Sequence, residues 1–121
     1  PGAEFSTQHE GKLGRRFLDR RARVAIATDC NPGSSYTTSM PFCIAAAVSL
    51  LGFTVEEAVY AATFGGAAAL RRTDIGSLEI GARADIAILK SPSYIHLAYR
   101  PGANLVETTL KAGRKVSRWQ K

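Results

Sequence analysis

The sequence predicts an α/β fold, and three observations predict it. Residues 23–28 (Arg23-Val24-Ala25-Ile26-Ala27-Thr28) are an apolar, strand-like segment that stops at Asp29 and a turn-rich run. Residues 40–51 are almost continuously apolar and helix-tolerant, and Thr54-Val55-Glu56-Glu57 behind them has the pattern of a capping box. From Asp74 onward the texture changes to short β signals separated by glycine and proline.

In chain order, Gly11 to Ala22 places Leu13, Phe17 and Leu18 at helical spacing, with Arg15, Arg16, Asp19 and Arg20 largely on the other face. This predicts a surface helix with Phe17 buried beneath it. The segment 23–28 is apolar on both faces, as in a central parallel strand covered on both sides, and such a strand needs neighbours that the chain is short of. Gly52 is placed to end the apolar helix, and Thr54 and Glu57 to start the next by exchanging hydrogen bonds. Gly65-Gly66 should break that second helix before the small-residue run Ala67-Ala68-Ala69-Leu70-Arg71-Arg72. The β signals are Gly76 to Leu78, Ala84 to Leu89, Leu105 to Leu110 and Val116 to Trp119, with Ala112-Gly113-Arg114-Lys115 as a hairpin turn.

At 121 residues the chain suffices for one small domain, and 45% hydrophobic content is ordinary for a packed protein. Six cations (Lys12, Arg15, Arg16, Arg20, Arg21, Arg23) fall in one stretch of a chain whose net charge is +6. Such a run reads first as a solvated helix face. A small basic module that binds nucleic acid or another polyanion is the non-enzyme alternative, weakened because only Phe17 is interleaved with the cations. Cys30 and Cys43 form no Cys-x-x-Cys spacing and read as reduced, partly buried thiols of a cytoplasmic protein. The apolar stretch from Pro41 to Phe53 is shorter than the roughly 20 residues of a membrane span, and the N-terminal residues lack the apolar core of a signal peptide. Neither membrane insertion nor export is expected.

Asp29 is the most informative residue. A carboxylate at the C-terminal tip of a strand in a parallel α/β fold stands where ligands, metals and reacting groups collect. Taken alone, Thr28-Asp29-Cys30-Asn31-Pro32-Gly33 is also good turn chemistry, with Asx side chains bonding nearby backbone. Three stretches taken together carry more. They are Ala27-Thr28-Asp29-Cys30-Asn31-Pro32-Gly33-Ser34-Ser35, Ile75-Gly76-Ser77-Leu78-Glu79-Ile80-Gly81-Ala82-Arg83-Ala84-Asp85, and His96-Leu97-Ala98-Tyr99-Arg100-Pro101-Gly102. With them the chain closely resembles the C-terminal part of the imidazolonepropionases, metal-dependent amidohydrolases of histidine degradation.

That resemblance implies a fold of two parts. Residues 1–74 would be the end of a (β/α)8 barrel, with 23–28 as its eighth strand and Pro1 to Thr7 as the loop after the seventh; residues 75–121 would be part of the flanking β-sandwich. It implies Asp29 as a ligand to zinc or iron and as the catalytic carboxylate that takes the proton of the attacking water and delivers it to the leaving nitrogen. Asn31, Gly33 and Ser34 would contact the small-molecule substrate, 4-imidazolone-5-propanoate, on its way to N-formimidoyl-L-glutamate. A different cyclic-amide hydrolase or deaminase of the superfamily would share Asp29 and Ala84-Asp85, but would not require the loop from Asn31 to Ser34. Cys30 lacks a nearby histidine base and is expected to pack rather than react, and His9 and His96 match none of the family's metal histidines. A complete barrel needs roughly 200 residues or more, and a catalytic zinc generally takes three protein ligands. The chain alone is therefore expected to be inactive and prone to associate through its exposed faces, whereas the complete enzyme would be cytoplasmic and, like much of the barrel family, a homodimer.

Overall fold

A helix begins where a side chain can stand in for the missing turn, and Ser39 does so for the longest helix, its hydroxyl accepting from Phe42 N at 3.2 Å. In the computed structural model, which describes residues 1–7 and 13–116, two short helices come before it, α1 (Gly2–Thr7) and α2 (Leu13–Asp19). The helix itself, α3 (Met40–Leu51), ends at Gly52, whose φ of 73° is the left-handed turn for which glycine is suited. Next comes α4 (Val55–Ala62), opened by the expected capping box: Glu57 N donates to Thr54 Oγ1 at 3.2 Å and Thr54 N to Glu57 Oε2 at 2.8 Å. The core lies between α3 and α4, where Ile44, Ala47, Phe53, Ala58 and Ala61 are buried with Ile26 and Leu97.

The remaining elements are α5 (Phe64–Ala69), β1 (Ile86–Leu89), α6 (His96–Tyr99), β2 (Val106–Lys111) and β3 (Arg114–Lys115). The chain jogs at Thr63, between α4 and α5, and both Gly65 and Gly66 lie inside α5. The expected break at the glycine pair is thus found two residues earlier, at Thr63. Gly65 has a different task, because a Cβ there would run into the Val24 carbonyl oxygen. Its missing side chain lets α5 rest directly on the segment 23–28.

That segment departs furthest from expectation. It forms no ladder with any described strand. The chain offers it helices instead of neighbours: Ile26 N donates to Ala61 O of α4 at 3.2 Å. Burial alternates along it, with Ile26 buried, Val24 and Thr28 half-buried, and Ala25 and Ala27 exposed. Period two is the mark of an extended chain, so the residues keep a strand's alternation with only one face covered. Gly2–Thr7, expected as a loop, is helical.

The C-terminal part forms a three-stranded antiparallel sheet in the order β1-β2-β3. Ile86 pairs with Leu110 and Ala87 with Thr109, and the register shifts between Ile88 and Leu89. Lys111 faces Arg114 across a two-residue turn in which Ala112 (φ 50°) and Gly113 (φ 76°) are both left-handed, the geometry that matches the twist of paired strands. Arg114 and Lys115, expected in the turn, belong to β3. Asp85 anchors this hairpin by accepting from Lys111 Nζ at 2.6 Å and Ala112 N at 2.8 Å. Gly76 to Leu78 form no strand; Gly76, at φ 84°, packs against Thr63 and Ala67, and Leu78 is exposed. Of the last β signal, residues 117–119 lie outside the described residues.

Arg15 ties α2 to α4. Its guanidinium reaches both oxygens of Glu57, at 2.7 and 3.0 Å, while its Nε holds Asp19 at 2.8 Å. Arg15 is therefore half-buried instead of lying on the solvent face with Arg16 and Arg20. The Arg15 guanidinium, and after it the Thr54 N–H, holds the Glu57 carboxyl below the usual glutamate range.

Two outcomes are expected. Gly65→Ala should lower the unfolding free energy by about 1–3 kcal/mol in urea titrations, because the added methyl has to displace the Val24 carbonyl. For Glu57, the folded-state value lies below the unfolded one, so its contribution is full above the unfolded value and disappears as pH falls through the folded one. Stability should accordingly drop below about pH 4, and Glu57→Gln should drop less over the same interval.

Candidate functional site

The candidate site is built on the loop that follows the segment 23–28. Ser35 is 2% exposed, and its hydroxyl donates to Thr28 O at 2.6 Å, joining the far end of the loop to its beginning. Asn31 N donates to Ser35 O at 3.1 Å, closing the loop as an isolated bridge. Gly2 of α1 packs against Ser35 so closely that a Cβ there would overlap the hydroxyl.

Inside the loop, Asn31 organises its neighbours. Its Oδ1 accepts from Gly33 N and Ser34 N, both at 2.9 Å, and its Nδ2 donates to Asp29 O at 2.7 Å. The two backbone donors fix which end of the amide is oxygen. Ser34 Oγ lies 3.4 Å from both Asn31 Oδ1 and Nδ2. The structure thus brings Asn31, Gly33 and Ser34 together in one turn and ties that turn to the backbone of Asp29. Gly33 is exposed and does not use a positive φ, so its value there is the lack of a side chain.

Asp29 itself has φ 48°, a conformation that costs most residues about 1 kcal/mol or more but is several-fold enriched in aspartate and asparagine. It is exposed, and among the described residues its carboxylate has no hydrogen bond or ion pair. It also borders a cavity of about 330 Å³ walled by α1, α2, Val24 to Ala27, Leu51 and Phe53. Asn31, Gly33 and Ser34 do not line that cavity.

Leu13 and Phe17 stand on its wall, 48% and 49% exposed. The expectation that the helical pattern buries Phe17 is therefore corrected: no described layer covers that face of α2. Cys30 is exposed rather than packed, so a packing role does not describe it, while Cys43 is fully buried in α3, where burial raises its thiol pKa. His96 has a structural setting on α6, edge-on to Tyr99, with its Nδ1 buried and without a hydrogen-bond partner. His9 lies outside the described residues.

For a metal, the donor set is short. Among the described residues no three histidine, cysteine, aspartate or glutamate side chains come together, and a catalytic zinc generally takes three protein ligands. These residues do not hold a metal ion by themselves. No described helix is long and apolar enough to cross a membrane. Ser35 is the site residue that the sequence reading missed; of two adjacent serines, nothing in the sequence marks which one turns inward.

Comparison with known proteins places this geometry. The chain is 59% identical over 116 residues to an imidazolonepropionase of Streptomyces griseus subsp. griseus, covering 96% of this chain and 30% of that protein. It is 60% identical over 116 residues to the imidazolonepropionase of Streptomyces avermitilis, covering 96% and 28%, and 58% over 120 residues to that of Mycolicibacterium smegmatis, covering 99% and 30%. The chain thus spans about 30% of the length of these curated relatives. The model of the amidohydrolase family matches residues 14–116, and with that span of its loop, helices and sheet accounted for, the chain belongs to the amidohydrolase family.

Proposed function

We propose that this chain is the C-terminal part of a metal-dependent amidohydrolase that hydrolyses 4-imidazolone-5-propanoate to N-formimidoyl-L-glutamate in histidine degradation. The observation that carries the reading is Asp29, an exposed carboxylate without a partner among the described residues, at the end of an extended segment whose second face is open. The names of the relatives support the substrate.

On this reading residues 23–28 are the eighth strand of a (β/α)8 barrel, and the strand that would pair with it lies elsewhere in a longer polypeptide. Residues 1–74 complete the barrel and 75–121 belong to the flanking β-sandwich. The alternating burial of 23–28, the helices α3 to α5 behind it and an antiparallel sheet drawn only from residues 86–115 support that division. The metal implied by the family, zinc or iron, would take Asp29 as one donor among others outside this chain, and would supply a lowered pKa for water, so that hydroxide can attack, and a polarised ring carbonyl.

In that setting Asp29 would accept the proton of the attacking water as it adds to the ring carbonyl, and would return it to the ring nitrogen as the C–N bond breaks. Its position at a strand end keeps the carboxylate fixed while the loop accommodates the substrate. Asn31, Gly33 and Ser34 face the substrate: Gly33 allows close approach, the Ser34 hydroxyl can bond a polar group, and Asn31 retains one N–H engaged only by the 3.4 Å contact to Ser34.

In the intact enzyme, Asp29→Ala should lower kcat by roughly 100-fold or more and reduce bound metal. Unchanged turnover with full metal content would refute the assignment. A polypeptide of these 121 residues alone should neither retain stoichiometric zinc in equilibrium dialysis nor open the imidazolone ring.

A further inference from the structure

We propose that Asn31 and Ser35 are positioning residues for Asp29, gripping the two backbone carbonyls on either side of its Cα and so setting where its carboxylate stands. The proposal rests on the reading of Asp29 as the reacting carboxylate. Ser35 Oγ holds Thr28 O at 2.6 Å, and Asn31 Nδ2 holds Asp29 O at 2.7 Å. Between those two points Asp29 turns left-handed, at φ 48°.

Among the described residues three other non-glycine residues are left-handed, and their surroundings differ. Arg21 and Arg71 follow the ends of α2 and α5, with N–H groups bonded back to Leu18 O and Ala68 O, and Ala112 sits in the hairpin turn. Helix termination or a turn accounts for each of them. Asp29 is at neither, and side chains supply the contacts to the peptide groups around it. The grip is itself anchored, since Ser35 is buried against Gly2 and Asn31 is fixed by Gly33 N and Ser34 N. Rotation of either peptide would swing the Asp29 side chain, and misplacement of a reacting group by about 1 Å can cost 100-fold in rate.

The test uses Ser35→Ala and Asn31→Asp in the intact enzyme, with 4-imidazolone-5-propanoate as substrate and a crystal structure of each variant. Asn31→Asp keeps an acceptor for Gly33 N and Ser34 N but removes the donor to Asp29 O, so the turn survives while one grip is lost. Both variants should show kcat reduced roughly 10- to 100-fold with residue 29 displaced from its left-handed conformation, and Ser35→Ala, at a buried residue that does not face the substrate, should do so at nearly unchanged KM. Unchanged kcat in both, or a raised KM at constant kcat in Ser35→Ala, would overturn the proposal, the latter pointing to direct substrate contact by Ser35. If Ser35→Ala does not fold, the kcat of Asn31→Asp and the conformation of residue 29 in its crystal structure decide. Asp29→Asn with undiminished turnover would refute the functional reading of Asp29 instead, and the displacement of residue 29 in the crystal structures would still decide whether the grip exists.

Discussion

An extended segment carries a peptide donor and acceptor at nearly every residue, and buried ones must find partners. Much of this molecule is arranged around how residues 23–28 meet that demand. One face leans on α4 and α5, through the bond from Ile26 to Ala61 and the close approach of Gly65 to Val24. The other has no strand beside it among the described residues, and Ala25 and Ala27 stand exposed. On the proposed reading this apolar segment, without a ladder partner among the described residues, belongs to a larger sheet of a chain that spans about 30% of its relatives' length.

What could be read from the sequence was what local chemistry decides. The helix from Met40 to Leu51 was legible because a cap residue, an apolar run and a terminal glycine agree, and α4 because a capping box is a reciprocal pair at fixed spacing. Two left-handed residues at the hairpin were half legible: glycine announced the turn, but its two-residue length placed Arg114 and Lys115 in the strand. The helix α6 was not foreseen, since it is four residues long without a side-chain cap, and its Leu97 is buried in the core beside α3. Phe17 was misplaced for the same kind of reason. Helical spacing gives the apolar face but not whether another layer lies over it.

The site was legible in its residues more than in its wiring. The run from Asp29 to Ser34 was marked by composition, yet turn chemistry and catalytic chemistry use the same side chains. The structure contains the turn without excluding the chemistry: the Asn31 amide is largely spent on backbone, while the Asp29 carboxylate faces solvent. Such a division of labour, with one polar residue organising and another left free, suits a loop that must hold one carboxylate in place. The electrostatic cross-link from Arg15 to Glu57 was also invisible in one dimension, because its partners are 42 residues apart.

Gly65 has a consequence for anyone who would move this loop to another protein. The loop begins only a few residues beyond Val24, whose carbonyl occupies the space where a side chain at 65 would stand. A transplanted loop carries its own internal bonds but not this contact, and a host helix with any larger residue at the equivalent place would hold the segment farther away. The smallest transferable unit is therefore the loop, the extended segment before it and the glycine-bearing helix behind that segment, taken together.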